Sequence, residues 1–334
     1  MPDFATRYLG LILKNPLVAA AGPLSKKLDS LRKLEDAGVG AVVLHSLFEE
    51  QIVHESQELD HYLTRLTNAS PEALTWFPDL GEYNLLPEEY LEHIRTVKSA
   101  LDVPVIASLN GFTAGGWVQW AKRMEEAGAD ALELNVYQVQ TSAEVSSAQM
   151  EDNMVALIQD VRKQVKIPLS LKLSPFFAGL PHLCRRLSQA GVDGLVLFNR
   201  FLQPDLDPEG LDVSTTVKLS DSDDLRLPLR WSAILHGKVE ADIAITTGIH
   251  TGKDLVKAVM SGAAVGQVTS EFLSKGPQRA AGILSEFADW MRDYEYTSVT
   301  QMRGALSQKN ASDPSAYERA NYMKALQSFD HIQL

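Results

Sequence analysis

Glu126-Ala-Gly-Ala-Asp-Ala-Leu-Glu-Leu-Asn135 closes a helix on a glycine, turns, and enters an apolar strand. The phrase recurs as Asp36-Ala-Gly-Val-Gly40 before Ala41–Ser46 and as Gln189-Ala-Gly-Val-Asp193 before Gly194–Phe198. Glycine at that place adopts the left-handed conformation that ends a helix, which frees the next apolar run to join a sheet. Reading outward gives eight such runs: Leu17–Ala21, Ala41–Ser46, Pro104–Leu109, Ala131–Val136, Leu169–Leu173, Gly194–Phe198, Asp242–Thr246 and Ala264–Thr269. Between them, helical patterns occupy Ser25–Ala37, Pro87–Ala100, Trp117–Ala127, Ala148–Val165, Leu180–Ala190, Lys253–Met260 and Pro277–Tyr294, with a sixth helix poorly defined. Strands that are apolar throughout, rather than alternating, are parallel and covered by helices. Eight βα units predict a (β/α)8 TIM barrel. A doubly wound open sheet is the alternative, but no Gly-x-Gly-x-x-Gly follows the first strand.

The barrel is expected to occupy residues 1–295, with a C-terminal extension at 296–334 that is helical near Ala316–Gln327. Two long, polar, proline-bearing stretches, 47–86 and 200–240, interrupt the rhythm. Both leave the C-terminal end of a strand, the face on which barrel enzymes build their sites. They read either as ordinary excursions or as a lid or interface.

Composition excludes several classes of function. The 334 residues carry 31 Lys and Arg against 43 Asp and Glu, a formal charge of −12, which disfavours nucleic acid and anionic membranes as partners. The single cysteine, Cys184, rules out an intrachain disulfide framework and multi-cysteine metal sites, and fits the reducing cytoplasm. The start of the chain reads as no targeting segment, and no apolar run approaches the roughly 20 residues of a spanning helix. No metal is expected, because the histidines lack ligand spacing.

Polar residues at strand ends mark a candidate site: His45 and Ser46, Asn110, Asn135, Lys172, Asn199, Thr247 and Gly248, Thr269 and Ser270. Lys172, inside Leu169-Ser-Leu-Lys-Leu-Ser-Pro175, carries the strongest signal, since a lysine in an apolar strand must be paired, desolvated or at a site. A partner on the neighbouring strand would be Glu133. Asn135 and Asn199 offer donors and acceptors suited to a planar heterocycle or carboxylate, or to a loop backbone. The segment Ile245-Thr-Thr-Gly-Ile-His-Thr-Gly-Lys-Asp254 and the Thr269-Ser270 turn fall after the last two strands, where barrels commonly bind phosphate.

Four stretches, Asn15-Pro-Leu-Val-Ala-Ala-Ala-Gly22, Ala131–Asn135, Leu171–Pro175 and Thr247–Asp254, resemble the dihydroorotate dehydrogenase family in order and spacing, over roughly residues 5–295. The resemblance implies a flavoprotein that oxidises dihydroorotate or a related small planar heterocycle, with FMN as cofactor. It places Ala20, Gly22, Ser46, Asn110, Asn135, Lys172, Gly248, Thr269 and Ser270 against the FMN, and Asn84, Asn135 and Asn199 against the substrate. Family members use a Cys or Ser as base in the loop after the fourth strand, where this chain has Gln138. Glutamine cannot take the proton. Lys172, Tyr137 and His45 are the remaining catalytic candidates, and Ser142 is out of register. With no iron–sulfur motif and no membrane helix to reach a quinone, a soluble electron acceptor or a separate partner protein is expected, and the chain is expected to form a homodimer. Two alternatives stand beside the resemblance: a flavin-binding accessory protein without the family activity, and a Schiff-base aldolase or lyase using Lys172.

Overall fold

The computed structural model describes residues 2–53, 87–111, 113, 115, 118–136, 138–200, 204–214, 218–318 and 322. Strands β1 (Thr6–Tyr8) and β2 (Leu11–Leu13) form a hairpin, and β3 (Leu17–Ala19) begins the main sheet. It continues with β4 (Ala41–Phe48), β5 (Val105–Asn110), β6 (Ala131–Asn135), β7 (Leu169–Leu173) and β8 (Gly194–Leu197). A second hairpin, β9 (Asp205–Asp207) and β10 (Asp212–Ser214), precedes β11 (Asp242–Thr246) and β12 (Val265–Val268). The parallel strands close in the order β11-β12-β3-β4-β5-β6-β7-β8, the TIM barrel read from the sequence. Around it run α1 (Leu28–Asp36), α2 (Pro87–Ala100), α3 (Val118–Glu126), α4 (Ser147–Gln164), α5 (Leu180–Gln189), α6 (Arg226–Leu235), α7 (Gly252–Ser261), α8 (Ser270–Lys275), α9 (Arg279–Asp293) and α10 (Val299–Met302). The poorly defined sixth helix is α6.

The recurring Ala-Gly phrase does the same work at each occurrence. Gly38, Gly128 and Gly191 have φ of 102°, 100° and 109°. The aspartates that follow two of them then tie adjacent strands together. Asp130 accepts from the Val105 N–H at 2.7 Å and from Lys98, and Asp193 accepts from the Leu169 N–H at 2.8 Å and from Arg162. In the first phrase Gly40 stands in place of the aspartate, and a side chain there would lie 2.4 Å from the Asn15 carbonyl oxygen. Asn15 supplies the missing acceptor, taking the Leu17 N–H at 3.0 Å while donating to the Gly38 carbonyl at 2.7 Å.

Two apolar layers explain why the strands are apolar on both faces. Val18, Ala41, Val43, Ile106, Ala131, Val196, Ala244 and Val265 fill the barrel, whereas Leu17, Val42, Leu44, Leu132, Leu171 and Ile243 meet the helices. The β1-β2 hairpin closes the bottom of the barrel with Tyr8, Leu9 and Leu13, all buried within the inner cluster. The same end is tied down by residues beyond α9. Arg303 pairs with Asp242 at 3.1 Å, and the N–H groups of Gly304 and Leu306 donate to the carbonyls of Val259 and Met260. Most of the helix expected near Ala316–Gln327 lies outside the described residues; among those described, Pro314–Tyr317 forms a 3-10 turn and Tyr322 is helical.

The β4-β5 register shifts between Val43 and Ser46, a bulge beside the site. The buried Tyr90 hydroxyl fills the break, accepting from the Ser108 N–H at 3.0 Å and donating to the Ser108 carbonyl at 3.1 Å. Removing it leaves a buried backbone N–H without its partner. Tyr90→Phe is therefore expected to lower stability by about 1–3 kcal/mol in urea unfolding, more than a neutral hydrogen bond ordinarily contributes.

Candidate active site

At the C-terminal end of the barrel three neighbouring strands deliver polar groups side by side. Asn135 ends β6 opposite Lys172 of β7, and Asn199 follows β8 with its N–H bonded to the Leu173 carbonyl. The Asn199 side-chain amide donates to Asn135 Oδ1 at 2.9 Å. Lys172 Nζ lies 2.5 Å from Glu133 Oε1, so the pairing foreseen as one reading of this lysine does form. Glu133 is fully buried and Lys172 is 6% exposed. Gln267 of β12, also buried, donates to the other Glu133 oxygen at 2.9 Å. Below this pair sits the Tyr8 hydroxyl, whose pKa is pushed well above its ordinary value by burial and by the negative charge of Glu133. The barrel thus carries a polar column along its axis, and Lys172 is its upper end.

Lys172 is also part of the wall of a cavity of about 190 Å³ beside β11, β12 and β3. Asn199, Thr247, Gly248, Thr269 and Ser270 share that wall, so five of the strand-end residues come together with the lysine, and Ala20 joins them there. Its apolar part is built by Ala21, Phe198, Ile249, Val268 and Leu273. Arg200, Lys218, Leu219 and Ser220 show that the stretch 200–240 contributes a wall of the site. Its exposed hairpin β9-β10 carries Leu206, Leu211 and Val213 outward.

Other candidates stand elsewhere. Ser46 faces Ser108 at 2.8 Å between their hydroxyl oxygens and, like Asn110 and Gly22, is not among the residues lining the cavity. Gly22 does abut it, since a side chain there would meet the Thr269 methyl at 2.7 Å. Tyr137, Asn84 and most of the excursion 47–86 lie outside the described residues. His45 corrects a simple reading of strand ends. Its ring packs against Tyr90 and His93 of α2, at centroid distances of 5.0 and 5.6 Å, and not toward the cavity. Burial, His93 and Lys26 lower its pKa to about 3, so it is neutral at physiological pH. Cys184 lies on the buried face of α5 and its thiol is pushed up to about 12 by burial, which suits packing rather than nucleophilic attack.

Four residues were missed by strand-end reading. Gln267 gives the same signal as Lys172, a polar side chain inside an apolar strand. Ser220, His250 and Glu271 join the ends of three successive units: His250 Nε2 is 3.1 Å from Ser220 Oγ, and His250 Nδ1 is 2.9 Å from Glu271 Oε2. Among the described residues no cluster of His, Cys, Asp and Glu could hold a metal ion, and no helix is long and apolar enough to cross a membrane.

Comparison with known proteins agrees with this geometry. A family model described as dihydroorotate dehydrogenase matches residues 4–291. A relative from Thermoplasma acidophilum, described as dihydroorotate dehydrogenase B (NAD(+)), catalytic subunit, is 26% identical over 91% of this chain and 99% of its own length. Proteins with the same description from Methanocaldococcus jannaschii and Pyrococcus abyssi are 24% and 25% identical, covering 87% and 88% of this chain and 94% and 96% of their own lengths.

Proposed function

Since this chain belongs to the dihydroorotate dehydrogenase family and is an oxidoreductase acting on CH–CH bonds, we propose that it is FMN-dependent and takes a small, planar, anionic heterocycle of the dihydropyrimidine type. The observation that carries the proposal is a cavity whose wall holds a buried lysine at one side and the Thr247-Gly248 and Thr269-Ser270 turns at another. The donor set suits a flavin mononucleotide: apolar Ala20, Ala21, Val268 and Phe198 for a flat ring, and Lys218 and Ser220 for a phosphate. Among the described residues buried Gln267 Oε1 has no hydrogen-bond partner, and it offers an acceptor toward that ring. FMN, when bound, supplies the hydride acceptor for the substrate.

The chain's own residues then have separate tasks. Lys172 holds positive charge at the cavity wall, fixed by Glu133, where it stabilises negative charge that develops during reduction. Asn135 and Asn199 hold each other in one orientation, so their remaining donors and acceptors are aimed before a planar ligand arrives. Gln138 stands where the family has its base and orients rather than deprotonates. That departure favours a substrate whose proton leaves to an acceptor other than a base at position 138, and leaves dihydroorotate itself as one member of the class.

The relatives' description as NAD(+)-linked catalytic subunits supports passage of electrons to a separate soluble acceptor or partner protein. The exposed Leu206, Leu211 and Val213 support a homodimer closed through the β9-β10 hairpin. A cytoplasmic setting is supported by the lone buried thiol of Cys184. Purified protein is expected to carry stoichiometric FMN, read from its visible absorbance, and to have that flavin bleached anaerobically by a dihydropyrimidine. Protein that neither retains nor takes up FMN would sink the proposal. FMN bound but bleached by no such compound would favour the accessory-protein reading.

A further inference from the structure

We propose that Ser220, His250 and Glu271 form a proton-controlled clamp for a phosphate monoester in the cavity, the proton on His250 deciding whether Ser220 presents a donor or an acceptor to the anion. The inference deepens the FMN reading and rests on it for the identity of the ligand, but not for the behaviour of the clamp.

The geometry has one consistent reading. Glu271 is 3% exposed and its second oxygen takes Arg279 Nε at 2.8 Å and Lys275 Nζ at 2.9 Å. Burial raises its pKa, but the bonds from Arg279, Lys275 and His250 outweigh burial and bring it to about 2. It is therefore a permanent carboxylate, and the imidazole nitrogen facing it, Nδ1, carries the hydrogen. The other nitrogen, Nε2, faces Ser220 Oγ, and Ser220 is 8% exposed yet lines the cavity. Ser220 Oγ also lies within reach of the Gly248 N–H, at 3.4 Å.

A hydroxyl has one hydrogen and two acceptor positions. With His250 neutral, Ser220 gives its hydrogen to Nε2 and accepts from Gly248, so the cavity meets an oxygen lone pair, which repels an anion. With His250 protonated, Nε2–H and the Gly248 N–H both donate to Ser220 Oγ, and the hydroxyl hydrogen is left to point at the ligand. Protonation thus adds a positive charge and inverts the polarity of the group nearest the cavity. A nucleophilic role is disfavoured, because Ser220 Oγ accepts from Gly248 and the Glu271 charge is already shared by two cations. The other charged groups about His250 are Asp254 with Lys257 from α7, Glu286 paired with Arg279 from α9, and Lys218 and Asp221 beside Ser220. Asp254 accepts the His250 backbone N–H at 3.3 Å and Arg279 Nη2 donates to the His250 carbonyl at 2.9 Å, so the ring's place is fixed from both sides.

The test compares FMN and riboflavin binding across roughly pH 6 to pH 8.5 for wild-type protein, His250→Gln and Ser220→Ala. FMN affinity is expected to fall at least about tenfold across the upper part of that range in the wild type, the worth of one charge-assisted hydrogen bond. That fall should be absent in His250→Gln, and riboflavin, which lacks the phosphate, should show none in any protein. The same pH-dependent fall in His250→Gln, or in riboflavin binding, overturns the clamp. An NMR titration of the His250 ring with inorganic phosphate uses wild-type protein and needs no flavin. Phosphate should raise the pH at which the ring loses its proton, and an unmoved midpoint overturns the clamp. If the protein takes no FMN while phosphate still moves that midpoint, the clamp stands and the FMN reading fails.

Discussion

Lys172→Met is expected to lower stability by about 3–5 kcal/mol, the cost of leaving one member of a buried ion pair without the other. Glu133 has no access to solvent, and among the described residues it is held by the ion pair with Lys172 and the hydrogen bond from Gln267. Glu133→Gln should cost a similar amount for the reciprocal reason. The double variant Lys172→Met, Glu133→Gln removes both charges, and its loss in urea unfolding should fall well short of the sum of the single losses. The same cycle separates structure from catalysis. Loss of a positive charge at a site of developing negative charge slows a reaction by about 10²–10³-fold, so the double variant should regain most of its stability while flavin reduction stays slow. A double variant that reduces its flavin at the wild-type rate would make the pair purely structural. Additive losses of stability would show that the two charges do not hold one another.

The barrel was legible because its signals are local. Each Ala-Gly phrase states a helix end and a strand start within a few residues; Asp130 and Asp193 link neighbouring strands directly, and Asn15 makes the equivalent link by accepting from Leu17 while donating to the Gly38 carbonyl. The two hairpins were not legible, for the opposite reason. Their strands are three residues long and have no period, and β1 and β2 are held by burying Tyr8 and Leu13 against strands distant in sequence.

The site divides along the same line. Lys172 stood out because an apolar strand cannot hide a charge, and Asn135 and Asn199 because they end such strands. His45 looked equivalent, but a bulge between Val43 and Ser46 changes the register, and no local sequence signal marks that bulge. Gln267 carried the same signal as Lys172 in a weaker form, since an amide is a milder intruder than an ammonium. The Ser220, His250 and Glu271 constellation was not accessible from spacing. Its members lie on three separate units, and only closure of the barrel makes them neighbours.

The second large effect concerns the turn after β11, where Thr247 and Gly248 have φ of 79° and 83°. The two positions share a conformation but not a tolerance for side chains. A Cβ on Gly248 would stand 2.3 Å from the Leu225 nitrogen and 2.7 Å from its Cα, backbone atoms that open the path to α6 and cannot swing aside. Gly248→Ala therefore combines left-handed strain with overpacking, each about 1–3 kcal/mol, and is expected to cost about 3–5 kcal/mol in total. Because Gly248 also lines the cavity and donates toward Ser220, the variant should bind FMN more weakly than riboflavin binding would suggest. Thr247 has the strain without the clash, and among the described residues its hydroxyl makes a long contact with the Phe198 carbonyl at 3.5 Å. Thr247→Gly should therefore raise stability, by about 1 kcal/mol, as relief of a β-branched residue from positive φ outweighs the added freedom of the unfolded chain. Thermal melts of the two variants should move in opposite directions. A shared direction would mean that the turn relaxes as a whole, and that Leu225 does not hold it against the cavity.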